Sequence, residues 1–352
     1  MADYPASSAL IKLDSNENPF GPSPLAVQAM QSATEACNLY PDNEASVLRN
    51  RLAELHGVSS EQVLITGGST EFLGMIARAF LSNGLNAVTS QRSFIVYRLA
   101  TEATNARLIE VPMNRNGFDL GAILSAVDQN TRVIFIANPN NPTGTLVTAA
   151  EVDHLLNTVP EDIVVVLDEA YYDFAAEFSL KRNVDYSRSL NYVRDARNVI
   201  VLRTFSKTHG LAGSRIGYGI MPSHMATRVA RQRSLFCVSS LAQAGALAAL
   251  VDQAHIRMTV ENNSQQSDRL IPALLDLGIT ATTTWANFIY CEVGRNVASF
   301  VAGLRREGIA VRALENWGAP EAIRITIGTP QQNHALLEAI RKLRGSSEAK
   351  GI

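Results

Sequence analysis

The chain of 352 residues has little cysteine, no strong charge imbalance and no long apolar run. Its three cysteines, Cys37, Cys237 and Cys291, form no CxxC pair, which argues against a disulfide framework or a zinc site. A net charge of −2 without a basic block argues against nucleic acid as a partner. No apolar run reaches the about 18 residues of a membrane span, and the N-terminus has no apolar signal core. We therefore expect a cytoplasmic protein that binds neither nucleic acid nor a membrane.

The sequence also lacks the spacing of common metal and nucleotide motifs. Its six histidines show no metal-ligand spacing, and we expect no bound metal. It contains no GxxxxGK loop, and no GxGxxG follows an apolar run, so a P-loop or a dinucleotide fold is not predicted.

What the sequence does have is a regular alternation of apolar runs and amphipathic stretches. A hydrophobic fraction of 46% and a length of 352 residues predict a packed protein of roughly two domains. Continuously apolar runs are typical of strands that are buried on both faces of a mostly parallel sheet. The predicted strands of this kind are 63–66, 86–90, 107–111, 132–137, 163–168, 198–203 and 216–220.

The alternation predicts an α/β fold with a large three-layer domain and a smaller α+β C-terminal domain. Helices are predicted at 71–81, 94–104, 148–158 and 239–251. From about residue 278 the hydrophobic pattern changes. It predicts strands at 279–284, 287–293, 309–313 and 322–327, with helices at 297–307 and 330–343. We expect an N-terminal arm at 1–40 that is irregular, with Pro, Asn and Gly frequent up to residue 24, a large domain at 41–277 and a small domain at 278–352.

Lys207 follows a predicted strand within the segment TFSKTHGLAGSR at 204–215. Ligands bind at the ends of strands in α/β proteins, and burial there frees a lysine amine to attack a carbonyl. The hydroxyls beside Lys207 and the later Arg215 suggest that the carbonyl compound also carries a phosphate. Pyridoxal 5′-phosphate has both groups. The alternative is a surface lysine in a loop.

Two loops at other predicted strand ends offer binding groups. Gly67-Gly68-Ser69-Thr70 is predicted to begin a helix, where free N–H groups attract an anion. The alternative is a turn followed by a helix cap, which would have the same sequence pattern. The run NPNNPTG at 138–144 contains two prolines, which predict an extended and rigid path. Asn141 would offer an amide donor there, and a stiff turn is the alternative.

Asp168 and Tyr171 lie at the end of the fully apolar run 163–168. A carboxylate at such a position needs a partner that offsets its loss of hydration. A protonated pyridine nitrogen would be that partner, and the pair would keep the ring cationic as an electron sink. Tyr171 could donate its hydroxyl to the ring oxygen. The alternative is an Asp that caps a helix beside a core tyrosine.

Arg312 and Arg324 lie on apolar predicted strands of the C-terminal module. We expect both guanidinium groups to be buried, which is costly unless they bind an anion. Arginine forks match carboxylates and phosphates, so an acidic substrate group, in particular a dianion, is predicted. Internal ion pairs with Glu307 or Glu315 are the alternative.

The order of these motifs resembles that of one known family. The phosphate loop, NPTG at 141–144, the Asp-x-x-Tyr pair, the Ser-Lys pair, Arg215 and a late arginine follow one another, together with LDSNENPFGP at 13–22 and YPD at 40–42. The chain resembles a fold-type I aminotransferase and, among these, the histidinol-phosphate aminotransferase family, over nearly its whole length. The resemblance implies the fold of the pyridoxal-phosphate-dependent transferases.

The resemblance also implies roles for the residues. Lys207 would bind the cofactor aldehyde and move a proton between substrate and cofactor, and Asp168 would pair with the ring nitrogen. Asn141 and Tyr171 would bond the ring oxygen. The implied ligands of the cofactor phosphate are Ser69, Thr70, Thr204, Ser206 and Arg215.

Two aromatic residues complete the implied site, and two positions depart from the family pattern. Phe94 matches the residue that stacks on the cofactor ring. Tyr40 matches a tyrosine that reaches the cofactor phosphate of the neighbouring subunit, which implies a homodimer with shared active sites. Arg92 occupies a position where many relatives have proline, and Thr70 occupies one where many have an acidic residue. Both departures make the assignment of the substrate less specific.

The family implies ping-pong transamination between histidinol phosphate and a 2-oxo acid, with 2-oxoglutarate as acceptor, in histidine biosynthesis. Arg324 would bind the carboxylate of glutamate, and with Arg312 it would bind the phosphate of histidinol phosphate. An aromatic amino-acid aminotransferase and a threonine-phosphate decarboxylase stay open as alternatives. A non-catalytic ligand sensor is the remote alternative, because Lys207 and Asp168 are both present and no basic helix-turn-helix is found.

Overall fold

A computed structural model describes residues 10–348, so 1–9 of the predicted arm and 349–352 of the predicted small domain lie outside the described residues. The strands are β1 (Ile11–Leu13), β2 (Val63–Thr66), β3 (Asn86–Ser90), β4 (Arg107–Val111), β5 (Thr131–Ala137), β6 (Val164–Asp168), β7 (Val199–Thr204), β8 (Gly217–Ile220), β9 (Thr280–Ala281), β10 (Phe288–Glu292), β11 (Ile309–Ala313) and β12 (Ala322–Thr326). The α-helices are α1 (Pro24–Ala33), α2 (Ser46–His56), α3 (Ser69–Phe80), α4 (Val96–Glu102), α5 (Leu120–Ala126), α6 (Ala149–Thr158), α7 (Tyr172–Arg182), α8 (Ser189–Arg194), α9 (Ser223–Ala230), α10 (Ser240–Val251), α11 (Gln253–Asp276), α12 (Val297–Arg306) and α13 (Pro330–Glu348).

The larger sheet has seven strands in the order β2-β8-β7-β6-β5-β3-β4. Neighbours from β7 to β4 are parallel, whereas β8 runs antiparallel to both β2 and β7. The sheet is therefore mixed but mostly parallel, which confirms the predicted α/β class. All seven strands predicted for this sheet are present, each with its boundaries within one residue of the prediction.

Both faces of this sheet are covered by helices, because its central strands are apolar at every position. In β6, Val165 and Leu167 pack into one apolar cluster with α2, α5, α6 and α10. Val164 and Val166 point to the other face and pack with α3, α4 and α9. Side chains alternate between the faces of a strand, so a continuous apolar run requires this three-layer arrangement.

The smaller sheet has five strands in the order β1-β11-β12-β10-β9. β1 is parallel to β11, with Ile11 opposite Ile309, and the other neighbours are antiparallel. The prediction of an irregular N-terminal stretch before Tyr40 was wrong at Pro24–Ala33, which form α1 because Ser23 caps the helix and Pro24 suits its first position. It was also wrong at 11–13. Three residues with a single buried apolar side chain, Leu13, give too short a pattern to predict a strand, and β11 supplies its hydrogen bonds.

The strand predicted at 279–284 was also wrong in part, because only Thr280–Ala281 forms ladder pairs with β10. Beyond it the chain turns towards the larger sheet, where the N–H of Trp285 donates to the carbonyl of Gly144 over 2.9 Å. Arg182 donates to the carbonyl of Thr284 at 2.8 Å. Residues 284 and 285 therefore bond to α7 and to the loop after β5 instead of continuing the strand.

The predicted domain division at 1–40, 41–277 and 278–352 stays a prediction. Within residues 10–348, none of the helices combines the length and the apolar character that crossing a membrane requires.

Candidate active site

A cavity of about 430 Å³ lies where the carboxyl ends of β6 and β7 face the smaller sheet. It is lined by nearly all the predicted site residues, which come from both sheets and from the loops between them. These are Ser69, Thr70, Phe94, Asn141, Asp168, Tyr171, Thr204, Ser206, Lys207, Arg215, Arg312 and Arg324. Tyr40 is the exception, since it does not line this cavity and is 82% exposed.

Lys207 is half-buried just after β7, with its amine held inside the cavity. Its Nζ donates to the carbonyl of Asn16 at 3.2 Å and lies 5.6 Å from the ring centre of Tyr171. Burial, and then the positive charge of Arg324, lower the pKa of Lys207 from 10.5 to about 8, although the carboxylate of Asp168 acts in the opposite direction. A neutral amine, the form that attacks a carbonyl, is therefore accessible close to physiological pH.

Asp168 ends β6 and is only 4% exposed. Tyr97 donates its hydroxyl to Oδ2 over 3.1 Å, and the N–H of Ala170 donates to Oδ1 over 3.3 Å. Burial raises the pKa of Asp168 to about 6, while the bond from Tyr97 acts to lower it. Above that pH the site holds a buried carboxylate that a cation would stabilise.

Tyr97 was missed in the sequence, although its position gave a signal. It lies three residues after Phe94 in the helix predicted at 94–104, and such a spacing places two side chains on one face of a helix. In the structure the two rings meet edge to face with 5.8 Å between their centres. The ring of Tyr97 is 1% exposed and stacks on Phe135 with 4.8 Å between ring centres. This packing fixes the direction in which the hydroxyl reaches Asp168.

Tyr171 and Asn141 each have one hydrogen bond that determines what the side chain can offer to a ligand. The hydroxyl oxygen of Tyr171 accepts from Asn16 Nδ2 at 2.9 Å, and burial raises the pKa of Tyr171. Asn141 Oδ1 accepts from Arg324 Nη1 at 2.5 Å, so Nδ2 is the donor that Asn141 can offer to a ligand.

The run 138–144 is a compact turn and not the extended path that its prolines predicted. The N–H of Gly144 donates to the carbonyl of Asn140, and the Asn138–Pro139 and Asn141–Pro142 peptide bonds are both cis. Proline restricts its own φ but not the isomer of the bond before it, so composition alone did not reveal this path.

The start of α3 forms a cradle suited to an anion. Gly68, which precedes the helix, has φ of 101°, and a Cβ built on it would lie 2.6 Å from Arg215 Nη2. Only glycine permits this approach of the guanidinium group to the backbone. Free N–H groups of the first helical turn and four hydroxyl side chains add donors. The hydroxyl residues that line the cavity are Ser69, Thr70, Thr204 and Ser206.

Arg312 and Arg324 are directly opposite each other on the neighbouring strands β11 and β12. Both donate to the carbonyl of Asp14, Arg312 through Nε at 3.2 Å and Arg324 through Nη2 at 2.9 Å. Arg324 is 5% exposed, and its Nε is buried without a partner among the described residues. Two facing guanidinium groups, one of them with an N–H that is unpaired within residues 10–348, are suited to bind a negatively charged group.

The prediction that Arg312 is buried was wrong, since its side chain is 41% exposed. β1 ends at Leu13, opposite Val311, so no strand covers the next position of β11. The predicted alternative partners were also wrong. The carboxylate of Asp14 lies 3.6 Å from Arg312, whereas Glu307 pairs with Lys342 at 3.1 Å.

The departure at Arg92 has a structural consequence. Arg92 has φ of 50°, which a proline ring excludes. Its Nε donates to the carbonyl of Gly318 at 3.1 Å, next to Trp317, which lines the cavity beside the two arginines. The loop before Phe94 therefore has a backbone conformation that proline at position 92 would exclude. The hydrogen bond from Arg92 also connects this loop to the segment after β11.

These features fit pyridoxal phosphate. Asp168 is a buried carboxylate suited to a cationic ring nitrogen, and Lys207 is an amine of lowered pKa suited to an aldehyde. The cradle at Gly68 and Arg215 is suited to a phosphate. Phe94 lines the same cavity as an aromatic surface.

Comparison with known proteins gives a consistent result. Residues 8–340 match the family model described as aminotransferase class I and II. The chain is 42% identical to histidinol-phosphate aminotransferase 2 of Pseudomonas fluorescens, covering 96% of this chain and 89% of that protein. It is 41% identical to the histidinol-phosphate aminotransferase of Akkermansia muciniphila, covering 95% and 90%. The solved histidinol-phosphate aminotransferase of Sinorhizobium meliloti, a complex with pyridoxal-5′-phosphate, superposes with a TM-score of 0.85 at 29% identity and covers 95% and 92%.

Replacing Tyr97 with phenylalanine removes the hydroxyl that favours the charged form of Asp168. We expect the pKa of Asp168 to rise, and the affinity for pyridoxal phosphate to fall about fivefold near pH 6 with recovery near pH 9. Equilibrium titration of cofactor binding across this pH range measures the effect.

A matched control is Tyr192→Phe, which breaks a similar bond from a buried tyrosine to Asp153, 2.6 Å long. Tyr192 does not line the cavity, so this variant should bind the cofactor like the unmodified protein. An equal loss at all pH values in Tyr97→Phe would contradict the assigned electrostatic role.

Proposed function

The chain belongs to the histidinol-phosphate aminotransferase family, within the class I and II aminotransferases, and on this basis we propose that it transfers the amino group of histidinol phosphate to 2-oxoglutarate in histidine biosynthesis. It is a pyridoxal-phosphate-dependent aminotransferase. The observation that carries the choice of substrate is the pair of facing arginines, Arg312 and Arg324, in the cavity that contains Lys207. The cytoplasmic location stays a prediction.

When bound, the cofactor supplies an aldehyde that condenses with amines and a cationic ring that withdraws electrons from the substrate's reacting carbon. Lys207 is proposed to hold the aldehyde and then, as a free amine, to move a proton at Nζ. A pKa of about 8 suits both tasks, because the amine can lose and regain its proton near neutral pH. Asp168 is proposed to hold the proton of the ring nitrogen in place.

The facing arginines are suited to the anionic group of each substrate, which is a phosphate in histidinol phosphate and a carboxylate in glutamate. Like charges opposite each other on neighbouring strands destabilise a sheet unless an anion lies between them. A phosphate dianion can accept from both guanidinium groups, and the carboxylate of glutamate can accept from the buried Arg324 alone. Arg312 and Arg324 now share the carbonyl of Asp14, which a bound anion would replace as their acceptor.

The remaining cavity residues are proposed to orient the cofactor. The Tyr171 oxygen accepts from Asn16, and among residues 10–348 neither its hydroxyl proton nor Asn141 Nδ2 is donated to another group. Both are suited to donate to the ring oxygen, and Phe94 to cover the ring. The proposed ligands of the cofactor phosphate are Ser69, Thr70, Thr204, Ser206 and Arg215.

The substrate is tested with a single-turnover panel on the pyridoxal-loaded protein. Histidinol phosphate, glutamate, phenylalanine and threonine phosphate are mixed separately with the enzyme, and conversion of the cofactor to its amine form is followed by absorbance. We expect rapid conversion by histidinol phosphate and glutamate and slow conversion by phenylalanine. Faster conversion by phenylalanine would favour an aromatic aminotransferase, and release of carbon dioxide from threonine phosphate would favour a decarboxylase.

The two-anion proposal predicts unequal effects in the variant Arg312→Ala. The rate constant kcat/KM should fall about 100-fold for histidinol phosphate but less than about threefold for glutamate, because the dianion uses both guanidinium groups and the carboxylate of glutamate uses Arg324 alone. Arg324→Ala should weaken both substrates strongly. Arg305→Ala, an exposed arginine on α12, serves as the control and should leave both rates unchanged. Equal losses for both substrates in Arg312→Ala would contradict the proposal.

We also propose that the protein acts as a homodimer in which Tyr40 reaches the neighbouring active site. Tyr40 stacks on Phe236 with 4.7 Å between ring centres, and both rings remain exposed. Leu39, Val47 and Leu235 are each at least 65% exposed near this pair in the sequence. Exposed apolar side chains in this number are typical of a surface that another protein chain covers.

Mixing two inactive variants tests the shared site. In a hybrid dimer of Lys207→Ala and Tyr40→Ala subunits, one site has both native residues and the other has neither. Random exchange of subunits should restore about a quarter of the unmodified sites. Each variant alone serves as the baseline. No recovery in a mixture shown to contain hybrids would contradict a role for Tyr40 across the interface.

A further inference from the structure

Asn16 contacts two of the proposed catalytic residues and also the smaller sheet. It is 1% exposed, its Nδ2 donates to the hydroxyl of Tyr171 at 2.9 Å, and its carbonyl accepts from Lys207 Nζ at 3.2 Å. The same carbonyl accepts from Asn287 Nδ2 at 3.1 Å. No other described residue bonds directly to both Tyr171 and Lys207, so Asn16 links the two groups that would act on either side of the cofactor.

Thr326 fixes the orientation of the Asn16 amide. The backbone N–H of Asn16 donates to Thr326 Oγ1 at 2.9 Å, and that hydroxyl donates to Asn16 Oδ1 at 3.3 Å. Because Oδ1 is used as an acceptor there, the other end of the amide, Nδ2, must face Tyr171. Tyr171 therefore accepts this bond and keeps its own proton for another acceptor.

The backbone of Asn16 makes both contacts possible. Its φ is 54°, in the left-handed region that asparagine and glycine tolerate best among the residues. The carbonyl then faces Lys207 while the side chain faces Tyr171. A larger or β-branched residue would lose the amide and strain the backbone as well.

We propose that Asn16 is a positioning residue for transamination, which holds the Tyr171 hydroxyl as a donor to the cofactor's ring oxygen and holds the Lys207 amine beside it. This inference rests on the proposed function, since it needs the cofactor in the cavity. A donor to the phenol oxygen polarises the phenol and makes its own proton a stronger donor. Asn16 thus acts on the cofactor through Tyr171, and on proton transfer through Lys207.

Two substitutions separate the side chain from the backbone. Asn16→Gly keeps the left-handed backbone and the carbonyl but removes the amide. Asn16→Asp keeps the shape but replaces the donor with an acceptor, so that Tyr171 would donate its proton to Asp and not to the cofactor. Asn183→Gly is the matched control, because Asn183 also has a left-handed backbone, with φ of 53°, and is exposed at the end of α7.

The readout is the pH midpoint of the bound cofactor's absorption change. A donor to the ring oxygen stabilises its negative charge, so losing that donor should raise the midpoint. We expect a rise of about one pH unit in Asn16→Asp, a smaller rise in Asn16→Gly and no change in Asn183→Gly. Asn16→Gly in a Tyr171→Phe background should give no further rise, because the two residues act in series.

The outcomes separate the inference from the proposed function. A protein that shows no bound-cofactor absorption at all would contradict the proposed function. Normal absorption with an unchanged midpoint in both Asn16 variants would overturn the positioning role and leave the function intact. If neither variant folds, Thr326→Val removes the hydroxyl that orients the amide, and it should raise the midpoint in the same direction. An unchanged midpoint in Thr326→Val would then overturn the inference.

Discussion

The rest of the site depends on one constraint, the burial of a lysine amine just after the end of β7. Burial is the largest cause of the low pKa of Lys207, and Arg324 adds the effect of a cation from the other sheet. Asp168, at the end of the neighbouring strand, limits the effect and places a carboxylate in the same cavity. The apolar strands below the cavity exclude water, so these charges act on one another with little screening.

Because Arg324 both lowers the pKa of Lys207 and belongs to the arginine pair, anion binding and proton transfer are physically connected. An anion that neutralises Arg324 weakens its effect, and the Lys207 amine then holds a proton more tightly. The segment that follows β1 lies at the centre of this connection. Asp14 bonds both arginines, and Asn16 bonds Lys207 and Tyr171. The smaller sheet therefore influences the chemistry of residues that the larger sheet carries.

The sequence predicted the larger sheet well because its strands are apolar at every position, a pattern that few other structures share. It predicted Asp168 and Lys207 for a related reason, since a charged residue at the end of such a strand is unusual. It did not predict β1 or the roles of Asn16 and Tyr97, whose contacts form only when distant segments meet. The exposure of Arg312 was mispredicted because the end of β1 decides it, not the local pattern.

The most direct test of this account is the pH dependence of covalent capture of pyridoxal phosphate by the cofactor-free protein. The rate is followed by absorbance, with Lys207→Arg as the blank, in the unmodified protein and in Arg324→Gln. The account predicts a rate that rises with pH around a midpoint of about 8, and a higher midpoint in Arg324→Gln, where the neighbouring cation is lost. A midpoint near 10.5 in the unmodified protein, the ordinary value for lysine, would contradict it.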